Sequence, residues 1–260
     1  MLRASNISSM ARKTILRMSF RSKTSHIGSS LSCVDLLSAM YLRQFTNREP
    51  GSDNLVIVSK GHAASAVYSV LNALGKISDK EIEEYCSDGA ALGGHVTFNR
   101  NFGIPLSTGS LGHALSYGVG IALARRLRKK KGIIYVLGSD GECDSGAIWE
   151  AAMLAGHLEL NNLMFVIDRN GLQSMKGTEE TLRLEPLGNK WKAFNWHVVE
   201  IQGHSHSEIS TALDSISTQP IVVIANTIKG FGISFMENSI EWHYRSPNEE
   251  EFARGISELG

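Results

Sequence analysis

Between residues 133 and 226 short apolar runs alternate with stretches long enough to be helices. "IIYVL" (133–137), "LMFVID" (163–168) and "PIVVIAN" (220–226) are continuously apolar instead of alternating with polar residues. A strand of that kind is covered on both faces, the situation of parallel sheets with helices on either side. Residues 145–160 supply a helix between the first two runs, and the strand-helix-strand lengths suit right-handed crossovers. "NLVIVS" (54–59) and "WHVVEI" (196–201) add further strands. Helical spacing predicts helices over 5–23, 31–45, 63–75 and 111–130, with an irregular glycine-rich segment from Ser87 to Ser110 between the last two. The expected class is α/β, a parallel sheet flanked by helices on both faces. No repeat, low-complexity segment or linker divides the chain, so residues 1–260 are expected to form a single domain.

Charge excludes some partners. Lysine plus arginine equals aspartate plus glutamate at 26 each, and the one basic cluster, Arg125 to Lys131, sits where a helix ends and meets its negative dipole. No aromatic residues are interleaved with it, so no nucleic acid is expected. The longest uncharged stretch, Asn101 to Ala124, contains Pro105 and several glycines, which argues against a membrane span. Cys33, Cys86 and Cys143 are odd in number and widely spaced, pointing to reduced thiols and a cytoplasmic protein. The arginine- and serine-rich amino terminus has a transit-peptide composition, but it runs directly into candidate site residues from His26 onward.

"GSDGECDSG" (138–146) carries the first chemical signal. Asp140 follows one predicted strand and Asn170 follows the next, about one crossover later, so both lie on the sheet edge where ligands of open α/β sheets bind. The helix starting near Ser145 is expected to aim its amides at the same place. Asp140 and Asn170 are either turn and cap residues or half of a hard oxygen set suited to Mg²⁺ shared with a diphosphate. Five histidines in glycine-rich or aromatic-flanked turns, His26, His62, His95, His113 and His243, suggest a pocket that moves protons or binds hydroxyls and phosphates. They lack the short paired spacings of a zinc site. His157, His197, His204 and His206 read as structural or surface residues.

Taken together, "SHIGSS", "VSKGHAA", "GGHVTFN", "STGSLGHALSYGVGIA", "GSDGE", "IDRNGLQ", "AGHLEL" and "KGFGISFMENSIEWH" resemble the thiamine-diphosphate domain of transketolase, from about residue 8 to residue 247. The resemblance implies the thiamine diphosphate-binding (PP-domain) fold. It also implies that this is the first subunit of a split transketolase, without the pyrimidine-binding and carboxyl-terminal domains. Such a protein transfers a two-carbon ketol unit from a ketose phosphate to an aldose phosphate in carbohydrate metabolism such as the pentose phosphate pathway. The glutamate that activates the cofactor belongs to the pyrimidine domain, so activity is expected only with a second subunit, in an α2β2 heterotetramer.

Carried over residue by residue, the resemblance places Asp140, Asn170 and the carbonyl of Leu172 on Mg²⁺ or another divalent cation such as Ca²⁺ or Mn²⁺, and Gly141 on the diphosphate. His62 and His243 contact the diphosphate side and reacting centre. His26 and His95 bind substrate hydroxyls, with His26 and His243 as proton carriers. Gly109 and Leu111 lie near the aminopyrimidine, Lys229 near the cofactor and Lys60 near the substrate. Four positions depart from the family pattern: Ser139 for glycine, Ser145 for glutamate, His113 for glutamine and Ala114 for glycine. Other thiamine-dependent subunits, of the 2-oxo-acid dehydrogenase or deoxyxylulose phosphate synthase type, share the Asp140 and Asn170 pair. The four histidines favour transketolase, and they also argue against a catalytically silent scaffold.

Overall fold

A computed structural model describes residues 3–46 and 53–260. Its centre is one five-stranded, all-parallel sheet in the order β1-β2-β3-β5-β4, formed by Leu55–Val58, Ile134–Ser139, Leu163–Arg169, Ile221–Asn226 (β5) and His197–Gln202 (β4). Except in the largely exposed edge strand β4, the strand runs are doubly apolar because each strand feeds two cores. Tyr135, Leu137, Met164, Val166 and Val223 face one side, while Ile134, Val136, Phe165, Ile167 and Val222 face the other.

On the first side lie α1 (Ala4–Ser22), α2 (Ile27–Thr46) and α3 (Ala64–Ala73), with α9 (His206–Leu213) joining the same core. α10 (Glu249–Leu259) packs on α1 and shares that core's edge through Phe252, Ile256 and Leu259. The opposite side is covered by α5 (Ala114–Leu127), α6 (Gly146–His157) and α8 (Leu187–Ala193). The short α4 (Asp79–Glu83) and α7 (Thr178–Thr181) sit in connections. Gly118 lets α5 approach the sheet: a Cβ there would stand 2.6 Å from Val136 and 3.3 Å from Leu163.

Several boundaries differ from the sequence expectation for local reasons. α2 begins at Ile27, four residues early, because His26 takes a left-handed conformation (φ 71°) that ends the preceding turn. α5 starts after Gly112, which has φ 83°. The helix expected from Ser145 is preceded by a 3₁₀ turn, Gly141–Asp144, so the residues at the ligand edge after β2 are Ser139 to Gly141 and not the first turn of α6. α4 and α10 carry complete capping boxes, Ser78 with Glu81 and Asn248 with Glu251, which account for their short, sharply started helices. No described helix is long and apolar enough to cross a membrane. The three cysteines are unpaired, Cys33 and Cys143 buried and Cys86 exposed.

Candidate active site

Chain segments leaving the carboxyl ends of four neighbouring strands converge on one cleft of about 290 Å³. β1 delivers Lys60 and His62, β2 delivers Asp140 and Gly141, β3 delivers Asn170 and Leu172, and β5 delivers Lys229. His26 enters from the start of α2, His95, Gly109 and Leu111 from the long irregular segment, and His243 from a 3₁₀ turn, Glu241–His243. All twelve site residues expected from the sequence thus line one cavity. His113 does not: it is exposed on the outside, its Nδ1 3.0 Å from the Leu111 carbonyl.

The floor is ionic. Asp168, the last buried residue of β3, pairs with the Lys60 ammonium, accepts from Ser32 Oγ (2.6 Å) and Thr227 Oγ1, and accepts from Asn170 Nδ2 at 3.2 Å. Burial opposes charge on both partners, but Lys60 outweighs it at Asp168, whose pKa falls, and Asp168 outweighs it at Lys60, whose pKa rises. Both groups therefore stay ionised. Because Asp168 takes the amide hydrogens of Asn170, the Asn170 oxygen is turned the other way, where it accepts from Leu172 N at 3.1 Å. Lys60 lines the wall with its ammonium committed to Asp168, so it contributes positive field to the cleft more than a free hand for a substrate.

Asp140 caps the 3₁₀ turn through Gly141 N (2.8 Å) and also accepts from Gly171 N (2.7 Å) and Arg169 (3.2 Å). Burial and then the Asp168 charge raise its pKa. Glu142, equally buried, ties three walls together: it accepts from the Ser59 hydroxyl, from Gly112 N (2.9 Å) and from Ser139 N (2.9 Å). The Ser139 hydroxyl points toward the same carboxylate at 3.4 Å. Ser145 sits against Gly112, where a Cβ would fall 2.5 Å from its Oγ.

The rim is made of imidazoles. The His26 ring lies 4.7 Å from that of His243, 5.2 Å from His62 and 6.3 Å from His95, centroid to centroid. Burial, then the neighbouring His95 and the two lysines, lower His26 to about 4; burial and Lys229 lower His243 to about 3; His62 is also pushed down, chiefly by burial. These rings are neutral at pH 7 and able to accept protons or hydrogen bonds. Lys229 bridges floor and rim, its Nζ 3.4 Å from His243 Nδ1 while donating to the carbonyls of Leu172 (3.3 Å) and Gln173 (3.2 Å). Burial and then Lys60 bring its pKa down to about 8.

The profile of the family described as transketolase, thiamine diphosphate binding domain, matches residues 6–260. The chain belongs to that family. It is 38% identical over 256 residues to an apulose-4-phosphate transketolase subunit from Phocaeicola vulgatus, covering 95% of this chain and 90% of that protein. It is also 38% identical over 242 residues to the 6-deoxy-6-sulfo-D-fructose transketolase subunit SqwG of a Clostridium species, covering 90% and 88%. Human transketolase is 30% identical over 224 residues, 84% of this chain but 36% of the human enzyme. The fold matches the transketolase of Leishmania mexicana with a TM-score of 0.90 at 22% identity, over 100% of this chain and 42% of that one.

Sequence reasoning missed Asp168, Glu142, Ser29, Gln173 and Ser174. Ser29, Gln173 and Ser174 line the cleft; Asp168 and Glu142 lie behind its walls and hold them. Ser29, Ser32 and Asp35 recur at a spacing of three on a helix buried almost throughout, a signal that α2 turns a polar stripe toward something charged.

Proposed function

We propose that this chain is the diphosphate-binding subunit of a split transketolase, moving a two-carbon ketol unit from a ketose phosphate to an aldose phosphate. The observation that carries it is the meeting of Asp140, Asn170 and Leu172 with four histidines and two lysines in one cleft. The donor set fits thiamine diphosphate with a divalent cation. Asp140, Asn170 and the Leu172 carbonyl offer hard oxygens suited to Mg²⁺, Ca²⁺ or Mn²⁺. Among the described residues no three His, Cys, Asp or Glu side chains form a metal cage of their own, so anionic oxygens of a diphosphate would complete the shell, with Lys60 and Lys229 offsetting their charge. Thiamine diphosphate, when bound, supplies the carbon nucleophile for ketol transfer.

The protein's share is positioning and proton handling. His26 and His95 hold the hydroxyls next to the ketose carbonyl, and neutral His26 and His243 take and return protons at the acceptor aldehyde. His62 closes the diphosphate side, and Gly109 and Leu111 flank the aminopyrimidine.

A second subunit bringing the pyrimidine-binding and carboxyl-terminal domains completes the site in an α2β2 assembly. Two features support this. Relatives that are themselves named as transketolase subunits are covered by this chain to about nine-tenths of their length. Large apolar residues, Tyr117, Met153, Leu154 and Leu111, are left exposed on α5, on α6 and at the cleft's edge. The test is ketol transfer by the purified chain with thiamine diphosphate and Mg²⁺, alone and after mixing with a chain carrying the pyrimidine domain. Turnover only in the mixture is expected. Substantial turnover by this chain alone, or no cofactor binding by the mixture, overturns the reading.

A further inference from the structure

Behind the cleft, on the far side of the loop that carries Lys229, lies a further buried carboxylate. Asp35 is 1% exposed and receives both terminal nitrogens of Arg12, with Nη1 at 3.0 Å. His204 Nδ1 lies 2.9 Å from Asp35 Oδ2, and His206 Nε2 is 3.4 Å from Oδ1. Burial opposes the Asp35 charge, but the His204 hydrogen bond and Arg12 prevail, holding its pKa below the usual carboxylate range. An ionised Asp35 can only accept, so the proton on His204 sits on Nδ1.

That assignment frees the other ring nitrogen. His204 Nε2 accepts from the backbone N–H of Ile228 at 2.9 Å, the residue immediately before Lys229. The ring is stacked on Phe231 (3.6 Å between centroids, 12° between planes), and the Phe231 carbonyl accepts from Arg12 Nε at 3.3 Å. The same loop is tied on its other side by Gly230 N to the Gly28 carbonyl (3.0 Å). Gly28 itself packs under Lys229, since a Cβ there would lie 3.3 Å from Lys229 Cγ.

We propose that His204 is a positioning residue: Asp35, held by Arg12, fixes its Nδ1–H tautomer so that Nε2 grips Ile228 and aims the Lys229 ammonium into the cleft. Arg12, Asp35, His204, Ile228 and Phe231 do not line the cleft, so His204 acts on a ligand only through the loop and Lys229. That Lys229 meets a diphosphate rests on the function proposed above; the grip on Ile228 does not.

Two replacements separate the grip from general packing. His204→Asn keeps a donor to Asp35 but has no acceptor reaching Ile228, whereas His204→Gln keeps an acceptor where Nε2 lies. In His204→Asn the Ile228 amide should exchange with solvent about tenfold faster or more, the worth of one hydrogen bond, and inorganic pyrophosphate should bind about tenfold more weakly. In His204→Gln both should stay within about threefold of the parent. Phe231→Leu, which removes the stacking and the Arg12 contact with the ring but leaves Nε2 in place, should lower the melting temperature without selectively speeding Ile228 exchange. Long-range ¹H–¹⁵N correlation on the unmodified chain should show the proton on His204 Nδ1. A proton on Nε2, or equal effects of the Asn and Gln replacements, overturns the proposal, and the tautomer measurement decides it even if a variant does not fold. Failure of pyrophosphate to bind the parent chain would instead count against the diphosphate reading, with the tautomer and exchange results still judging His204.

Discussion

Floor and rim of the cleft handle burial in opposite ways. On the floor, Lys60 and Asp168 are both nearly or fully inaccessible and both charged, because each satisfies the other, Ser32 and Asn170 donate to the same Asp168 oxygen as Lys60, and Thr227 donates to the other. On the rim, His26, His62 and His243 have no acidic partner among the described residues and surrender their charge to burial and to the nearby lysines. The difference teaches a division of labour: permanent charges, locked in a hydrogen-bonded frame, suit holding an anion, while neutral imidazoles suit moving protons.

The comparison breaks most sharply at Asp168. Asp168→Ala strands the Lys60 ammonium in a site it cannot leave, and removal of one partner of a buried pair costs about 3–5 kcal/mol. Urea unfolding should show a loss of that size, and a loss below about 1 kcal/mol would mean that the floor is not held by this pair. His243→Asn, on the rim, should leave the unfolding midpoint close to that of the parent and reduce ketol transfer by the assembled enzyme about 100-fold, within the range for a lost acid-base group. A stability loss matching that of Asp168→Ala would erase the distinction between the two regions.

Lys229 belongs to both regions, and pH separates its contributions. Its pKa is lowered to about 8, so it is a cation at pH 7 and loses its proton as pH rises through 8. Pyrophosphate binding to the chain should therefore weaken by about tenfold between pH 7 and pH 9, since one charge-assisted contact is worth about 1.5 kcal/mol or more. Lys229→Arg, which keeps its charge, should flatten that slope. An unchanged slope would assign it to another group.

The rim was legible in the sequence and the pairing that holds the floor was not, although Lys60 itself was named, for a physical reason. His26, His62, His95 and His243 stand, like His113, in glycine-rich or aromatic-flanked turns, where five histidines together suggest a pocket, and Asp140 and Asn170 each follow just past an apolar run. The strand reading succeeded because doubly buried strands leave no polar alternation to mistake. Asp168 is also written at the end of "LMFVID", but its meaning depends on Lys60, 108 residues away, and no local pattern encodes that pairing. Glu142 is hidden in the same way: its partners Ser59 and Gly112 come from other segments. His204, read as structural or surface, is a half-buried structural residue, but its contact with Asp35 spans 169 residues and could not be read locally. Local chemistry could be read from residue type; long-range charge satisfaction required the fold.

The smallest expected effect tests whether the rim stores strain that the floor lacks. His26 holds φ 71°, a conformation costing a non-glycine residue about 1–2 kcal/mol and kept only where surrounding contacts impose it. Those contacts are visible: its N–H donates to the His243 carbonyl at 3.1 Å, its carbonyl accepts from Ser30 N at 3.1 Å at the start of α2, and its Nδ1 lies 2.9 Å from Ser25 Oγ. His26→Ala and His26→Gly both delete the imidazole and should impair ketol transfer equally, but only glycine adopts this backbone freely. The glycine variant should thus be more stable than the alanine variant by about 1 kcal/mol in urea unfolding, and equal stabilities would mean that the turn before α2 accepts a side chain without cost. The result reaches past one residue, because the same left-handed turn that ends the approach to α2 also points the His26 ring toward His243, so the rim's geometry and its strain share one cause.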